Sequence, residues 1–188
     1  MKAPSLALIG IPEPTTASIT APVDLRAALE RHHADCLGWA MACSGFDRTE
    51  AGDVLQDAYL KVLDGRAVYR GDSTFRTWLF GVIRRTAGEH RRNVFRRIAG
   101  LWRVQHEDIA ARQVQDPDAA IDGRAAAIKL QGALRELPTR QRQVLHLVFQ
   151  EDFSVEAAAE MIGISVGSAR THYARGKARL RELLRERR

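Results

Sequence analysis

Arg170, Thr171, Arg175 and Lys177 recur along a helical projection that begins at Val166, a row of hydrogen-bond donors and positive charge. Side chains of these types bind rather than cut. An Arg fork matches the O6 and N7 acceptors of a guanine edge or a pair of phosphate oxygens, so a helix presenting such a row fits a DNA major groove. Catalytic chemistry finds little support, because the chain carries no Gly-rich phosphate loop, no plausible nucleophile–base pair and no paired-carboxylate signal above surface acidity.

The elements that would position this row are readable around it. Ala169, Tyr173, Gly176, Leu180 and Leu183 recur at spacings of four and three, which places them on one buried face and turns the donors outward. Upstream, Ser154 to Ser165 reads as a short helix and a tight turn. Ala159 is small enough for two helices to cross closely, Gly163 can supply the left-handed backbone that ends the first helix, and Ser165 can cap the second. An amphipathic helix with a merely solvated Arg face is the bland alternative. The small residue, the glycine turn and the cap at fixed offsets favour a helix-turn-helix.

Across 188 residues the net charge is +6 and 45% of residues are apolar, enough chain for one large domain or two small ones and a bias toward a polyanionic partner. The charge is uneven. Arg84, Arg85, Arg91, Arg92, Arg96, Arg97 and Arg103 crowd one stretch and Arg170 to Arg188 another, whereas Glu50, Asp53 and Asp57 and the run Glu107 to Asp122 are acidic. No apolar run approaches the roughly 20 residues that cross a bilayer, so no membrane insertion is expected. Leu6 to Ile11 is too short and too soon broken by Pro12 and Pro14 to read as a signal peptide.

Cys36 and Cys43 lie seven apart on an expected helix, which sets their Cα atoms about 10 Å apart and forbids a disulfide. Reduced thiols and a cytoplasmic location follow. His32, Cys36 and Cys43 share a face, but three ligands set within the apolar stripe of Leu25, Leu29 and Ala40 read as buried structure rather than zinc.

The fold expected is all-α: two small helical domains joined by a flexible linker, the C-terminal one a helix-turn-helix. After a tail over residues 1–22, helices are expected over Asp24–Cys43 and Asp47–Leu63, and a third is capped by Asp72 or Ser73 and carries Phe75, Trp78, Leu79, Val82 and Ile83 inward; these make a first domain over 23–93. Residues 94–118 lose their period and read as a linker, with a short helix near Phe95 to Trp102. A second domain over 119–188 opens with Ile128, Leu130, Leu134 and Leu137 on one helix. Thr139 caps the next, whose Val144, Leu145, Val148 and Phe149 pack on the helix-turn-helix.

Three fragments in order resemble one family. Gly71-Asp-Ser-Thr-Phe75-Arg-Thr-Trp78-Leu-Phe80 is similar to the promoter-melting region of extracytoplasmic-function RNA polymerase sigma factors, Asp53-Val-Leu-Gln56-Asp57-Ala-Tyr59-Leu60 to their polymerase-binding helix, and Leu137-Pro-Thr-Arg-Gln-Arg142-Gln-Val144 with the helix-turn-helix to their C-terminal domain. The resemblance implies a sigma factor that binds core RNA polymerase at its clamp helices and flap and directs initiation at promoters, is not an enzyme, and needs no metal or cofactor. It further implies core binding through Asp53, Gln56, Asp57 and Leu60. Contacts to the melted −10 strand fall on Tyr69, Arg70, Arg76, Phe80, Arg84 and Arg85, and contacts to the −35 duplex on Ser168, Arg170, Thr171, His172, Arg175 and Lys177. An anti-sigma partner is implied too.

The residues themselves qualify parts of that transfer. Phe75 and Trp78 sit at helical spacing and read as core, leaving Phe80 as the aromatic expected to be exposed. Arg85 stands where the family usually carries Asn, and Ala157-Ala158 replaces a usual Glu-Ile pair. The rival reading is a freestanding helix-turn-helix regulator, which leaves the Asp53/Gln56/Asp57 face and the Ser73 to Phe80 motif without a purpose.

Overall fold

Residues 24–101 and 121–186 are described by the computed structural model, and those residues form eight α-helices and no strand. The first half holds α1 (Leu25–Arg31), α2 (His33–Cys43), α3 (Arg48–Leu63) and α4 (Phe75–Leu101); the second holds α5 (Ile121–Glu136), α6 (Thr139–Phe149), α7 (Val155–Ile162) and α8 (Val166–Glu186). The expected tail over 1–22 and most of the expected linker lie outside the described residues.

Local chemistry accounts for the boundaries. Asp24 accepts from the amides of Arg26 and Ala27 and starts α1, and Asp47 accepts from Glu50 N and starts α3. The single helix expected over Asp24–Cys43 is interrupted at His32, whose backbone leaves helical geometry while its N–H still reaches Ala28 O and Glu30 O. The third helix begins later than expected. Thr74 rather than Asp72 or Ser73 caps it, its Oγ1 accepting from Thr77 N at 3.2 Å. That helix also runs past 93 to Leu101, because a loss of apolar period does not stop a helix in an Arg-rich stretch without proline. Thr139 is the first residue of α6 and provides no side-chain cap; Pro138 holds that position.

The helix-turn-helix forms as its residues require. Ser154 Oγ accepts from Ala157 N, Gly163 closes α7 in the left-handed conformation at φ 66° and ψ 50°, and Ser165 Oγ accepts from Ser168 N at the start of α8. Ala169 and Leu183 are buried on the inner face of α8, with Tyr173 and Leu180 half-buried beside them. Gly176 permits α6 to approach α8, since a Cβ there would come within 3.1 Å of Leu145 and 3.2 Å of Gln141.

Ile128 and Leu130 on α5 face outward instead of inward, while Phe149, though exposed, stacks on Tyr173 of α8 at 5.7 Å as expected of a residue packing on the helix-turn-helix. Stripe periodicity assigns a face but not what covers it.

The two halves share one core. It runs from Trp39, Val54, Leu79, Phe80 and Ile83 in the first half into Val144, Leu147, Ala158 and Ile162 of the second. Trp39 is fully buried, donates its indole N–H to Phe80 O at 2.9 Å and stacks on the Phe80 ring at 5.7 Å. Arg142, also buried, reaches across: its Nε donates to Ala42 O and its Nη1 to Leu137 O, both at 2.8 Å. Those carbonyls lie at the C-terminal ends of α2 and α5, where helix dipoles favour a cation. Burial pulls the Arg142 pKa below its ordinary value, with Arg91 adding to the effect.

Candidate nucleic-acid and polymerase interfaces

Asp53, Gln56 and Asp57 project from the exposed side of α3, opposite buried Ala51, Val54, Leu55 and Ala58, because helical spacing separates the two sets. Asp57 Oδ2 lies 2.7 Å from His90 Nε2 of α4. Leu60 is 42% exposed, enough apolar surface to be a contact rather than core. It borders a groove of about 350 Å³ lined by His33, Leu37, Leu55, Tyr59 and Leu63. The four residues expected to meet polymerase therefore form one accessible acidic and apolar face.

The six residues expected to meet the melted strand do not stay together. Tyr69 and Arg70 lie in the loop before α4; the Tyr69 hydroxyl donates to Ser73 O at 2.5 Å and its ring packs on Phe75 and Trp78, each at 5.4 Å between centroids. Phe75 and Trp78 are half-buried in this cluster rather than deep in the core. Arg85 is exposed.

Phe80 is the clearest correction. Expected as an exposed aromatic, it is 0% accessible, stacked between Trp39 and, at 6.3 Å, Phe153 of the second half. The expectation failed because it measured Phe80 against the stripe facing α2 and α3 alone. A second surface, α7 and Phe153 just ahead of it, covers the other flank of α4.

Arg76 and Arg84 lie along that same flank and are engaged. Arg76 Nε pairs with Asp35 at 3.1 Å, its Nη2 pairs with the buried carboxylate of Glu151, and its guanidinium sits over the Phe80 and Phe153 rings at 5.1 and 5.7 Å. His146 Nε2 lies 2.9 Å from the second Glu151 oxygen, close enough for charge attraction but without hydrogen-bond alignment. Arg84 donates to Ile162 O, the carbonyl that ends α7. Burial, followed by the neighbouring Arg140, lowers the Arg84 pKa.

The outer face of α8 is open by contrast. Ser168, Arg170, Thr171 and Arg175 are exposed, Arg170 pairing loosely with Glu156 of α7 at 2.8 Å. That pair holds the Glu156 carboxyl below its ordinary range. Lys177 is half-buried over the Tyr173 ring at 4.7 Å, and His172 is half-buried with an unpartnered Nδ1. Arg142, His146 and Glu151 hold the seam between the halves; Arg142 stood in the Leu137 to Val144 motif without an assigned role, and its burial was signalled by its shared helical phase with buried Leu145. Cys36 and Cys43 are buried free thiols, each pushed up to about 12 by burial, and among the described residues no three side chains gather as metal ligands.

Two family models match the chain. Residues 28–97 match the model of sigma-70 region 2 and residues 127–180 that of sigma-70 region 4. The chain is a sigma-70 family protein of the extracytoplasmic-function group. Among curated relatives, this sigma factor is 27% identical over 146 residues to SigX of Bacillus subtilis, covering 74% of the chain and 75% of SigX. It is 30% identical over 135 residues to SigM of Mycobacterium tuberculosis, covering 72% of the chain and 64% of SigM.

Solved structures agree in fold. RpoE of Bartonella quintana, crystallised with the anti-sigma factor NepR, superposes with a TM-score of 0.67 at 25% identity, covering 88% of this chain and 99% of that one. CnrH, solved with the cytosolic domain of CnrY, gives 0.57 at 22% identity, covering 86% and 88%. Both halves of a sigma factor are present in family order, so the chain directs promoter-specific initiation. A freestanding regulator would leave the region 2 match unexplained. No helix among the described residues is long and apolar enough to cross a membrane.

Proposed function

We propose that this sigma factor divides its labour by element. Asp53, Gln56, Asp57 and Leu60 of α3 dock on the clamp helices of core RNA polymerase, and the second half meets the flap. The outer face of α8, Ser168 to Lys177, reads the −35 duplex, with Arg170, Thr171 and Arg175 at base edges and His172 and Lys177 at phosphates. The −10 strand is held by Tyr69 and Arg70 in the loop and by Arg76, Arg84 and Arg85 on α4. Phosphodiester chemistry belongs to the core enzyme, and the work is done in the cytoplasm.

The observation that carries this reading is the contrast along α8: a buried inner stripe of Ala169, Gly176 and Leu183 and an outer row of exposed arginines started by a capped turn. A surface so oriented presents donors without requiring the helix to repack. The −10 face carries a condition, because Arg76 and Arg84 are held by Glu151 and Ile162 of the other half. Strand capture therefore follows separation of the halves. An anti-sigma protein that favours the closed arrangement would inhibit by the same geometry, in line with the anti-sigma complex named for RpoE of Bartonella quintana.

Run-off transcription with purified bacterial core RNA polymerase tests the assignment. The full chain is expected to confer initiation at a discrete start site, and Arg175→Ala to reduce it while leaving core capture in a pull-down intact. Equal loss of core capture would refute the division.

A further inference from the structure

Between α4 and the second half lies a cleft of about 340 Å³ into which Arg84, Arg85, Arg91, Arg92 and Arg140 converge, with Gln143 at its wall. Among the described residues no carboxylate lines it. The guanidiniums that find partners there find neutral ones: Arg84 and Arg140 share the single carbonyl of Ile162, Arg140 also reaches Gln143 at 3.5 Å, and Arg91 donates to Cys43 O at 3.2 Å. Glu50 offsets part of the Arg91 charge, and the buried Nε of Arg84 has no acceptor among the described residues. Five clustered cations with one orphaned donor form a surface that lacks its anion.

We propose that this cleft binds a polyphosphate chain, inorganic or carried by a nucleoside, and that the bound anion holds the two halves of the sigma factor together. A chain of phosphates supplies several charges and many acceptor oxygens within the reach of converging Arg forks. Single-stranded nucleic acid fits less well, since among the described residues no aromatic ring lines the cleft to give such strands a stacking platform. Gly81 and Gly88 on α4 keep side chains out of the wall, with open space at the Gly81 Cβ position.

The site belongs to the closed form alone. Arg140 and Gln143 come from α6 and the other four cations from α4, so separating the halves dissolves it. A ligand at a hundredfold excess over its dissociation constant then shifts the closed-to-open ratio by about a hundredfold. The same ligand would oppose strand capture by Arg84 and Arg85.

Titration calorimetry of the full chain with sodium tripolyphosphate at fixed ionic strength tests this. One site per chain is expected, weakened about tenfold by Arg140→Ala and by Arg91→Ala and unchanged by Arg181→Ala, an exposed charge on α8. Hydrogen exchange should slow in α4 and α6 on binding. ATP binding more tightly than tripolyphosphate would name a nucleoside carrier, and the reverse an inorganic one; either supports the site. Equal weakening by all three variants means diffuse attraction and overturns it, as does unchanged affinity in Arg140→Ala. Binding of single-stranded DNA with Arg140 dependence that tripolyphosphate cannot displace would give the cleft to nucleic acid instead. Because no polymerase or promoter enters these measurements, their failure leaves the run-off result standing.

Discussion

Arg170 and Arg175 on α8 and Arg76 and Arg84 on α4 are the same side chain at the same expected task, holding nucleic acid, yet the structure treats them differently. The α8 pair faces solvent and is loosely tied, whereas the α4 pair is built into a seam, Arg76 against buried Glu151 and Arg84 against the end of α7. A surface that reads duplex DNA can be displayed permanently at little cost. The α4 face proposed to capture a melted strand also carries Phe80 and its apolar neighbours, and burying those stabilises the free chain.

The largest test of that contrast is Phe80→Ala. A ring stacked between Trp39 and Phe153 should cost about 3–5 kcal/mol when removed, read as a lower urea midpoint. An exposed strand-contacting ring would change stability by no more than about 0.5 kcal/mol.

Glu151→Gln comes next. Removing one member of a buried pair leaves the other charge uncompensated, usually a loss of about 3–5 kcal/mol, but the Arg76 side chain is 27% exposed and keeps Asp35, so about 2 kcal/mol is expected. Cys43 reports the seam directly, because Gln143 donates to its Sγ at 3.4 Å and burial lifts the thiol to about 12 from an ordinary 9.0. Iodoacetamide labelling of Cys43 near neutral pH should be slow in the parent chain and faster in Glu151→Gln. That thiol's contribution to stability is whole below pH 9.0, where the unfolded chain is also protonated, and is lost as pH climbs toward 12. Alkaline denaturation curves with Cys43→Ser as reference measure it.

On α8 the effects should fall on binding. Arg175→Ala is expected to weaken −35 duplex binding at least about tenfold, roughly 1.4 kcal/mol, while unfolding is unchanged. Smallest of all is the stability effect of Arg170→Ala, which removes a pair exposed on both sides and should leave the thermal midpoint unchanged. A large loss there would mean that α8 is as structurally committed as α4.

Local chemistry was legible in the sequence. Ser154, Gly163 and Ser165 act through their own neighbours, so the helix-turn-helix could be drawn residue by residue, and the exposed row from Ser168 to Arg175 followed from the stripe opposite it. What one half does to the other was hidden. Phe80, Arg142 and Glu151 owe their surroundings to residues far along the chain, and a helix with two buried flanks shows the same apolar period as one with a buried flank and an exposed ring. The same blindness let α4 stop at 93 on paper although its polar turns continue to Leu101.

The Ile162 carbonyl closes the helix that precedes the reading helix, and it is also what Arg84 and Arg140 grasp. One oxygen thus serves as both a hinge pin and a handle. If α8 takes the duplex as proposed, a pull on it would pass through Gly163 to that oxygen and from there to α4, so engagement at the upstream element would strain the clasp on the downstream one. The order of promoter contacts would then be set by the joint itself, duplex first and strand second.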